Sequence, residues 1–305
     1  MYEQEIADLV KNIRDHRSVL DATAQLFRTQ EKKDNFNPKI AEDWCNSVFG
    51  DSLVKLRLFT ENNFNYIESL SLISVTRYIF EMSVWLKLLT KDSRYGIVYY
   101  SQLLKGQREY WTRFQEQMNR EVVFLEKMYK EERDLTNKRL GEVKIMGDTE
   151  EATHAAEKIF EYVKKIIDEK ADRSFSIFSE EAKFNGYGFQ SVLVKKNQLE
   201  KTENALIEIA NEKEKFEENL PEDVKKMVSN NIHWKWDQKA KEAQLEDEYN
   251  FIYTFTSKLL HAVPTSITTD HKNLEYQEMV FLLRYINVKI KDIIELSRAY
   301  INKRG

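Results

Sequence analysis

The most apolar window of the chain is Leu70-Ser-Leu-Ile-Ser-Val-Thr-Arg77-Tyr-Ile-Phe-Glu81-Met-Ser-Val-Trp-Leu-Lys87-Leu-Leu89. On a helix drawn from about residue 64 to 90, apolar side chains occupy nearly every side, which is typical of a central helix surrounded by others. Because Arg77, Glu81 and Lys87 interrupt the window, a buried helix is favoured over a membrane span. The sequence therefore predicts a fold assembled around this segment.

Two charged residues of this window, Arg77 and Glu81, lie one helical turn apart, with Ile73 and Val84 on the same face. A charge on an apolar face is costly unless it is paired. We therefore expect the two residues to bond to each other or to a polar group on a neighbouring helix. A structural ion pair that fixes helix register and a functional site are both consistent with this pattern.

The composition of the 305-residue chain indicates long amphipathic helices. It contains only 8 glycines and 3 prolines, which is far below average usage and disfavours turn-rich β and repeated βαβ architectures. Hydrophobic residues make up 42% and charged residues 32% of the chain, with the charges spread through helical patterns. We predict an all-α helical bundle with long antiparallel helices and an elongated, charged helical insertion.

The periodicity places helices at about residues 3–30, 38–59, 64–90, 97–140, 149–168, 190–218 and 271–303. A candidate break near Gly50-Asp51 interrupts the second helix, and Asn185-Gly-Tyr-Gly-Phe189 has the composition of a loop. We predict that residues 1–120 form the N-terminal half of the bundle and that residues 231–305 complete it. Residues 121–230 would form the charged insertion, an arm able to bind a protein partner or a second copy.

Charge, cysteine content and the first residues indicate a compartment. The net charge of −4 gives no basic footprint for nucleic acid, so any RNA contact has to be local. The single cysteine, Cys45, excludes an intramolecular disulfide and fits a reducing compartment. The start, Met1-Tyr-Glu-Gln-Glu-Ile, is acidic where a secretory signal is basic and then apolar. We predict a cytoplasmic protein without a membrane segment.

A second stretch carries candidate functional groups: Tyr249-Asn-Phe-Ile-Tyr253-Thr-Phe-Thr-Ser257-Lys-Leu-Leu-His261-Ala-Val-Pro264. Four-residue spacing advances about 40° per step around a helix, so Tyr253, Ser257 and His261 form one polar stripe. The proline predicts that the helix ends near Ala262. His261 would then lie in the last turn, where the helix dipole favours the imidazolium form.

Metal-dependent and serine-dependent chemistry lack a full set of residues. A di-iron bundle needs two Glu-x-x-His elements, and only Glu151-Ala-Thr-His154 fits. Ser257 and His261 lie four residues apart and can touch on a helix, but no nucleophile elbow or oxyanion-hole element accompanies them. We predict neither a metal nor a cofactor.

A phosphodiester site requires the two stretches to meet. Arg77 would then neutralise developing charge, with Glu81 beside it, while His261 moved the proton and Tyr253 or Ser257 oriented the phosphate. Metal-independent RNA cleavage through attack by the ribose 2′-hydroxyl needs groups of this kind. The same residues also make an ordinary buried hydrogen-bond network.

Three features resemble a bacterial helical family of unassigned function that is related to the HEPN superfamily of helical nucleotide-binding and ribonuclease domains. They are Arg77-x-x-x-Glu81 on the apolar helix, the pair Trp234 and Trp236, and Tyr253-x-x-x-Ser257-x-x-x-His261-Ala. The resemblance covers about residues 60–115 and 230–300. It implies a helical bundle, often dimeric, that is often a toxin or abortive-infection effector in bacterial defence against phage.

One departure separates this chain from the superfamily's ribonuclease motif, which places an Arg before the His on one helix with four to six residues between them. Thr254, Phe255 and Thr256 occupy the corresponding positions here. Catalysis would therefore require Arg77 to act from another helix. Two hypotheses stay open: a HEPN-like, metal-independent ribonuclease, and a non-catalytic interaction or sensor protein that acts through partner binding.

Overall fold

The computed structural model describes residues 2–34, 36–61, 68–143, 150–218, 220–261 and 274–303 of the chain. Every regular element within these ranges is helical, as the scarcity of glycine and proline led us to expect. The prediction of an all-α helical bundle is therefore confirmed.

The chain divides into two compact units, which we call unit 1 (Met1–Gln102 with Leu220–Gly305) and unit 2 (Leu103–Asn219). The first part of unit 1 contains α1 (Tyr2–Asp15), α2 (Arg17–Asp34), α3 (Ala41–Phe59), α4 (Ser69–Lys91) and the start of α5 (Tyr95–Val143). Its second part contains α10 (Glu222–Asn230), α11 (Trp236–Glu242), α12 (Glu246–Glu248), a π-helical turn (Tyr249–Tyr253), α13 (Thr254–Leu260) and α14 (Tyr276–Asn302). Unit 2 contains the rest of α5, α6 (Glu150–Ala171), α7 (Ser179–Asn185), α8 (Tyr187–Val194), a π-helical turn (Lys195–Leu199) and α9 (Glu200–Glu218).

Unit 2 begins and ends earlier than the predicted insertion, at residues 103 and 219 rather than 121 and 230. The first boundary lies inside α5, which continues through it without a turn. Because no glycine or proline signal marks such a boundary, the sequence pattern could not locate it.

The helix bounds differ from the predicted ones at several turns. The single helix expected at residues 3–30 is two helices that meet at His16, whereas α3 continues through the candidate break at Gly50. The loop expected around residues 185–189 consists of the end of α7 and the start of α8, joined at Gly186 with φ +87°. Helix α11 was not predicted.

Helix α4 is the centre of unit 1, with α3, α11, α13 and α14 packed against it. Most of its side chains are buried, including Leu72, Ile79, Phe80, Val84 and Leu88, and a narrow stripe through Leu70, Ser74 and Tyr78 is exposed. The apolar window is thus a covered core helix, as predicted. No helix among the described residues is long and apolar enough to cross a membrane.

An aromatic stack joins three helices on another side of this core. Phe27 of α2 lies 5.6 Å from Phe49 of α3, and Phe49 lies 4.6 Å from Tyr300 of α14, measured between ring centres. Both phenylalanines are essentially inaccessible to solvent. Stacked aromatic pairs of this kind contribute about 0.5–1.5 kcal/mol beyond the apolar area they bury.

A buried charge network attaches the α12–α13 segment to α14. Lys289 is only 6% exposed, and its Nζ donates to Glu248 Oε1 at 2.6 Å and lies 3.3 Å from Asp292 Oδ2. The Tyr285 hydroxyl donates to the other oxygen of Glu248 at 2.9 Å. Burial and the Glu248 carboxylate raise the pKa of Tyr285. Because a buried ammonium group is costly without such partners, the network fixes where this segment lies.

Unit 2 has its own core, in which α5, α6, α7 and α8 contribute buried side chains: Met118, Leu125, Met128, Val163, Ile167, Ala182, Tyr187 and Val194. Glu121 is 1% exposed beside this core, and its carboxylate accepts hydrogen bonds from Gln117 at 2.7 Å and Ser176 at 2.6 Å. The side-chain hydrogen bond between Ser176 and Glu121 thus holds the segment before α7 against α5.

Two glycines of α5 predict opposite effects of substitution by alanine. A Cβ at Gly96 would lie 2.2 Å from the Ala41 carbonyl oxygen, whereas a Cβ at Gly106 would meet nothing within 4 Å. We expect Gly96→Ala to destabilise the protein by about 1–3 kcal/mol through overpacking. Gly106→Ala should stabilise it by about 0.4–1 kcal/mol, because the unfolded chain loses conformational freedom. Urea denaturation followed by circular dichroism measures both, and the same sign for both substitutions would contradict the packing at Gly96.

Candidate functional site

The two predicted functional stretches meet where α4 packs against the π-helical turn and α13. Arg77 Nη2 donates to the Tyr253 hydroxyl at 3.0 Å, and the guanidinium carbon lies 4.5 Å from the centre of the Tyr253 ring. Arg77 Nε donates to Glu81 Oε1 at 2.9 Å. The structure therefore brings together Arg77, Glu81 and Tyr253.

The Arg77–Glu81 ion pair is neither fully buried nor fully exposed. The exposed fraction of the side chain is 23% for Arg77 and 26% for Glu81. A guanidinium has five N–H donors, and the described residues engage two of them, one at Glu81 and one at Tyr253. The other three donors have no partner among the described residues and could bind an anion there, although the adjacent carboxylate reduces the attraction for one.

A π-helical turn positions Tyr253. This turn spans Tyr249–Tyr253, and Thr256 closes it from the buried side by donating to the carbonyl oxygens of Ile252 at 2.7 Å and Tyr253 at 3.2 Å. The extra residue in the turn stacks the Tyr249 ring on the Tyr253 ring, with 4.8 Å between ring centres. Turns of this type are frequent at functional sites.

Aromatic side chains surround the rest of the Tyr253 ring. Phe80 lies 6.0 Å away and Trp236 lies 6.3 Å away, measured between ring centres. Trp236 meets the edge of Trp234 at 5.8 Å, and Trp234 stacks on Trp85 of α4 at 3.8 Å and 12°. Trp236, the first residue of α11, therefore lies next to Tyr253, and Trp234 is connected to the site through Trp236. The sequence pattern did not single out Trp85.

Ser257 and His261 lie further along the segment. Helix α13 ends at Leu260, two residues before the predicted end, and His261 has extended backbone angles of φ −101° and ψ 142°. The prediction that His261 belongs to the last turn was therefore wrong. Its backbone N–H donates to the Ser257 carbonyl oxygen at 3.2 Å, while its side chain is exposed. The Pro264 on which that prediction depended lies outside the described residues.

Helix geometry sets the separation of these groups. At a rise of 1.5 Å per residue, Ser257 lies about 6 Å and His261 about 12 Å along the axis from Tyr253. A substrate contacted by both the Arg77 guanidinium and the His261 imidazole would have to extend over about two helical turns. The compact part of the predicted site thus consists of Arg77, Glu81 and Tyr253.

Two phenols next to the site remain protonated at neutral pH. Burial raises the pKa of Tyr78, and the nearby Glu81 carboxylate raises it further. Burial also raises the pKa of Tyr249, where Asp237 and Tyr253 add to the effect and Arg77 opposes it. These hydroxyls can donate hydrogen bonds to a ligand but cannot act as bases.

The metal motif considered from the sequence does not assemble a site. Within the described ranges, no three His, Cys, Asp or Glu side chains lie close enough together to hold a metal ion. His154 Nδ1 instead lies 3.5 Å from Glu157 Oε2 on the same exposed helix face.

Unit 2 carries an exposed feature that sequence reasoning missed, which we call the phenylalanine segment (residues 175–189). The exposed fraction is 84% for Phe175, 87% for Phe184 and 59% for Phe189. On the opposite side, Tyr187 is buried and donates to Asp168 at 2.8 Å. The backbone is thus attached to the core while the phenyl rings face solvent. The sequence signal that could have identified this segment is the recurrence of phenylalanine among its glycine and charged residues.

Comparison with known proteins gives no relatives: no family model matches the chain, and neither the curated proteins nor the solved structures contain a significant match.

The contact between Arg77 and Tyr253 predicts a measurable coupling. We expect Tyr253→Phe, which removes the hydroxyl and retains the ring, to destabilise the protein by about 0.5–1.5 kcal/mol. In a double-mutant cycle with Arg77→Gln, the two effects should be non-additive by about 0.5 kcal/mol or more. Denaturant unfolding of the four proteins measures this. Tyr110→Phe on an exposed tyrosine is the matched control, and an additive cycle would contradict the contact.

Proposed function

We propose that the protein acts without catalysis, by binding a protein partner through the phenylalanine segment of unit 2. The observation that carries this proposal is the exposure of Phe175 and Phe184, each more than four-fifths accessible to solvent. Single exposed apolar residues are common on protein surfaces, but several large ones in one short segment mark interaction sites. Aromatic side chains of this size also dominate the binding energy of interfaces.

The pattern of the segment indicates the chemistry of the partner. Phe189 and Val192 are both exposed and lie three residues apart on α8, so they form a short apolar ridge on its outer face. Glu180 and Glu181 are exposed before this ridge, and Lys195 and Lys196 are exposed after it. The apolar face of a partner helix, flanked by basic and acidic residues, would complement this arrangement.

Attachment of the segment to the core would favour such binding. Gly188 approaches Tyr129 so closely that a Cβ would lie 2.9 Å from the tyrosine ring. Together with the Tyr187–Asp168 hydrogen bond, this contact fixes the backbone that carries the exposed rings. A fixed backbone loses less conformational entropy on association than a mobile one.

The proposal predicts that Phe175→Ser with Phe184→Ser abolishes a specific interaction without unfolding the protein. A photo-crosslinking side chain at position 189 identifies the partner in cells, and titration with the purified partner then gives affinities. We expect at least a 10-fold weaker affinity for the double variant, because each buried phenyl ring contributes about 1.5–3 kcal/mol. Val123→Ser on α5, where the side chain is 66% exposed, is the matched control. Equal affinities for the double variant and wild type would refute the proposal.

The second candidate is a HEPN-like bacterial defence or toxin effector with metal-independent ribonuclease activity, acting as a homodimer. The observation in its favour is the half-buried Arg77, which retains donors for a phosphate beside the Tyr253 hydroxyl. In this reaction the 2′-hydroxyl attacks phosphorus, the bond to the 5′-oxygen breaks, and His261 transfers the proton. We rank this candidate second for two reasons. Glu81 already pairs with the Arg77 guanidinium, and His261 lies about two helical turns from Tyr253.

The ribonuclease candidate predicts RNA cleavage that persists in chelator and falls by about 100-fold or more in His261→Ala, since general acid–base catalysis contributes at least that much. His261 is exposed, so the substitution should leave the fold intact. Lys258→Ala, an exposed change on the same helix, is the matched control. If the wild-type protein cleaves no RNA, or if both variants cleave at the wild-type rate, this candidate is excluded.

A further inference from the structure

Unit 1 contains a cleft of ≈ 510 Å³ between the α4–α5 junction and helices α10 and α11. Most of its lining residues are polar or charged, and side chains of both charges are present. Neither Arg77 nor Tyr253 is among the lining residues. The cleft volume falls within the range of small-molecule sites, which is about 300–1,000 Å³.

One wall of the cleft is a closed hydrogen-bond network. Lys239 Nζ donates to the Tyr95 hydroxyl at 3.0 Å and to Glu242 Oε2 at 2.7 Å, while the Tyr95 hydroxyl donates to Glu242 Oε1. Lys239 also lies 5.2 Å from the centre of the Tyr95 ring and 5.6 Å from that of Trp234. The positive and negative charges of this wall cancel. An ammonium group has three N–H donors, so Lys239 retains one for a ligand.

A second group is a fixed ion-pair cluster at the start of α5. Arg94 donates to Asp92 at 2.8 Å and to Asp223 of α10 at 3.0 Å, so both carboxylates are oriented by one guanidinium. Carboxylate oxygens have further lone pairs, and these can accept hydrogen bonds from hydroxyl groups.

Two further ammonium groups lie at the cleft. Lys91 Nζ donates to the carbonyl oxygen of Glu242 at 3.1 Å, and its charge also acts on the Glu242 carboxylate. Lys226 on α10 is exposed, and no ion pair among the described residues includes it. Lys226 is therefore the more available of the two for an anion, in particular a phosphate.

Asn231 contributes a buried side chain to the lining of the cleft and is 4% exposed. Its Nδ2 donates to the Met227 carbonyl oxygen at 2.7 Å, and its backbone carbonyl oxygen accepts from Gln102, so this part of the lining is fixed.

We propose that this cleft binds a small sugar phosphate. Its phosphate pairs with Lys226 and, at the other side of the cleft, with Lys91. The sugar hydroxyls donate to the Asp92 and Asp223 carboxylates and accept from Lys239. A polyol suits the lining because its hydroxyls both donate and accept, whereas a purely anionic ligand would be repelled by the acidic side chains. The proposal is independent of partner binding by unit 2.

Calorimetric titration of the full chain with ribose 5-phosphate tests the proposal, with inorganic phosphate and ribose as separate titrants. We expect saturable binding of ribose 5-phosphate, at least 10-fold tighter than that of either component. Lys226→Gln should weaken it by about 10-fold or more through loss of one phosphate contact. Lys55→Gln, an exposed lysine of α3 in the same unit, is the matched control and should bind as the wild type does.

Three results would overturn the proposal. One is the absence of saturable binding up to about 10 mM, a range in which millimolar affinities are readily detected. Another is ribose 5-phosphate binding no tighter than inorganic phosphate, which would mean that the cleft does not recognise the sugar. The third is equal weakening, or none, in Lys226→Gln and Lys55→Gln. Because Lys226 is an exposed residue, its substitution tests the site without threatening the fold.

Discussion

A helix that is apolar on most of its surface must be covered by its neighbours, and this requirement determines unit 1. Helix α4 meets it by packing against α3, α11, α13 and α14. The charge of Arg77 is tolerated at the edge of the covered surface because the guanidinium bonds both Glu81 and Tyr253. The guanidinium thus fixes the position of the π-helical turn, and desolvation is the physical reason that two segments so distant in sequence meet.

The same contact limits what the site can do. A guanidinium that already neutralises a carboxylate is a weaker anion-binding group than an unpaired one. Burial keeps Tyr78 and Tyr249 protonated, so the neighbouring phenols are donors only. The exposed rings of Phe175 and Phe184 satisfy no requirement of the fold, because unit 2 already has a buried core without them. These two observations are the reason that we propose partner binding ahead of chemistry at Arg77.

Hydrophobic periodicity was sufficient to predict most of the helices and the central position of α4, since burial controls both. It also indicated that Arg77 needs a partner, because a charge on an apolar face is costly when unpaired, but it left open whether the Tyr253 stretch supplies one. The end of α13 before His261 could not be predicted, since the π-helical turn that precedes it depends on tertiary packing of Thr256. The roles of Trp85 and Asn231 and the presence of the α4–α5 cleft could not be predicted from the sequence either. Their roles arise from contacts between residues more than a hundred positions apart, and no local pattern records such contacts.

Unit 1 is assembled from both ends of the chain, with α1 packed on α14. During synthesis, the apolar faces of α1–α4 emerge from the ribosome long before the helix that covers them. At 5–20 residues per second, the delay between α4 and α14 is about 10–40 s. All of unit 2 is synthesised within that interval. The nascent chain therefore carries an uncovered apolar surface for much of its translation, and such a surface is prone to aggregation until α14 covers it.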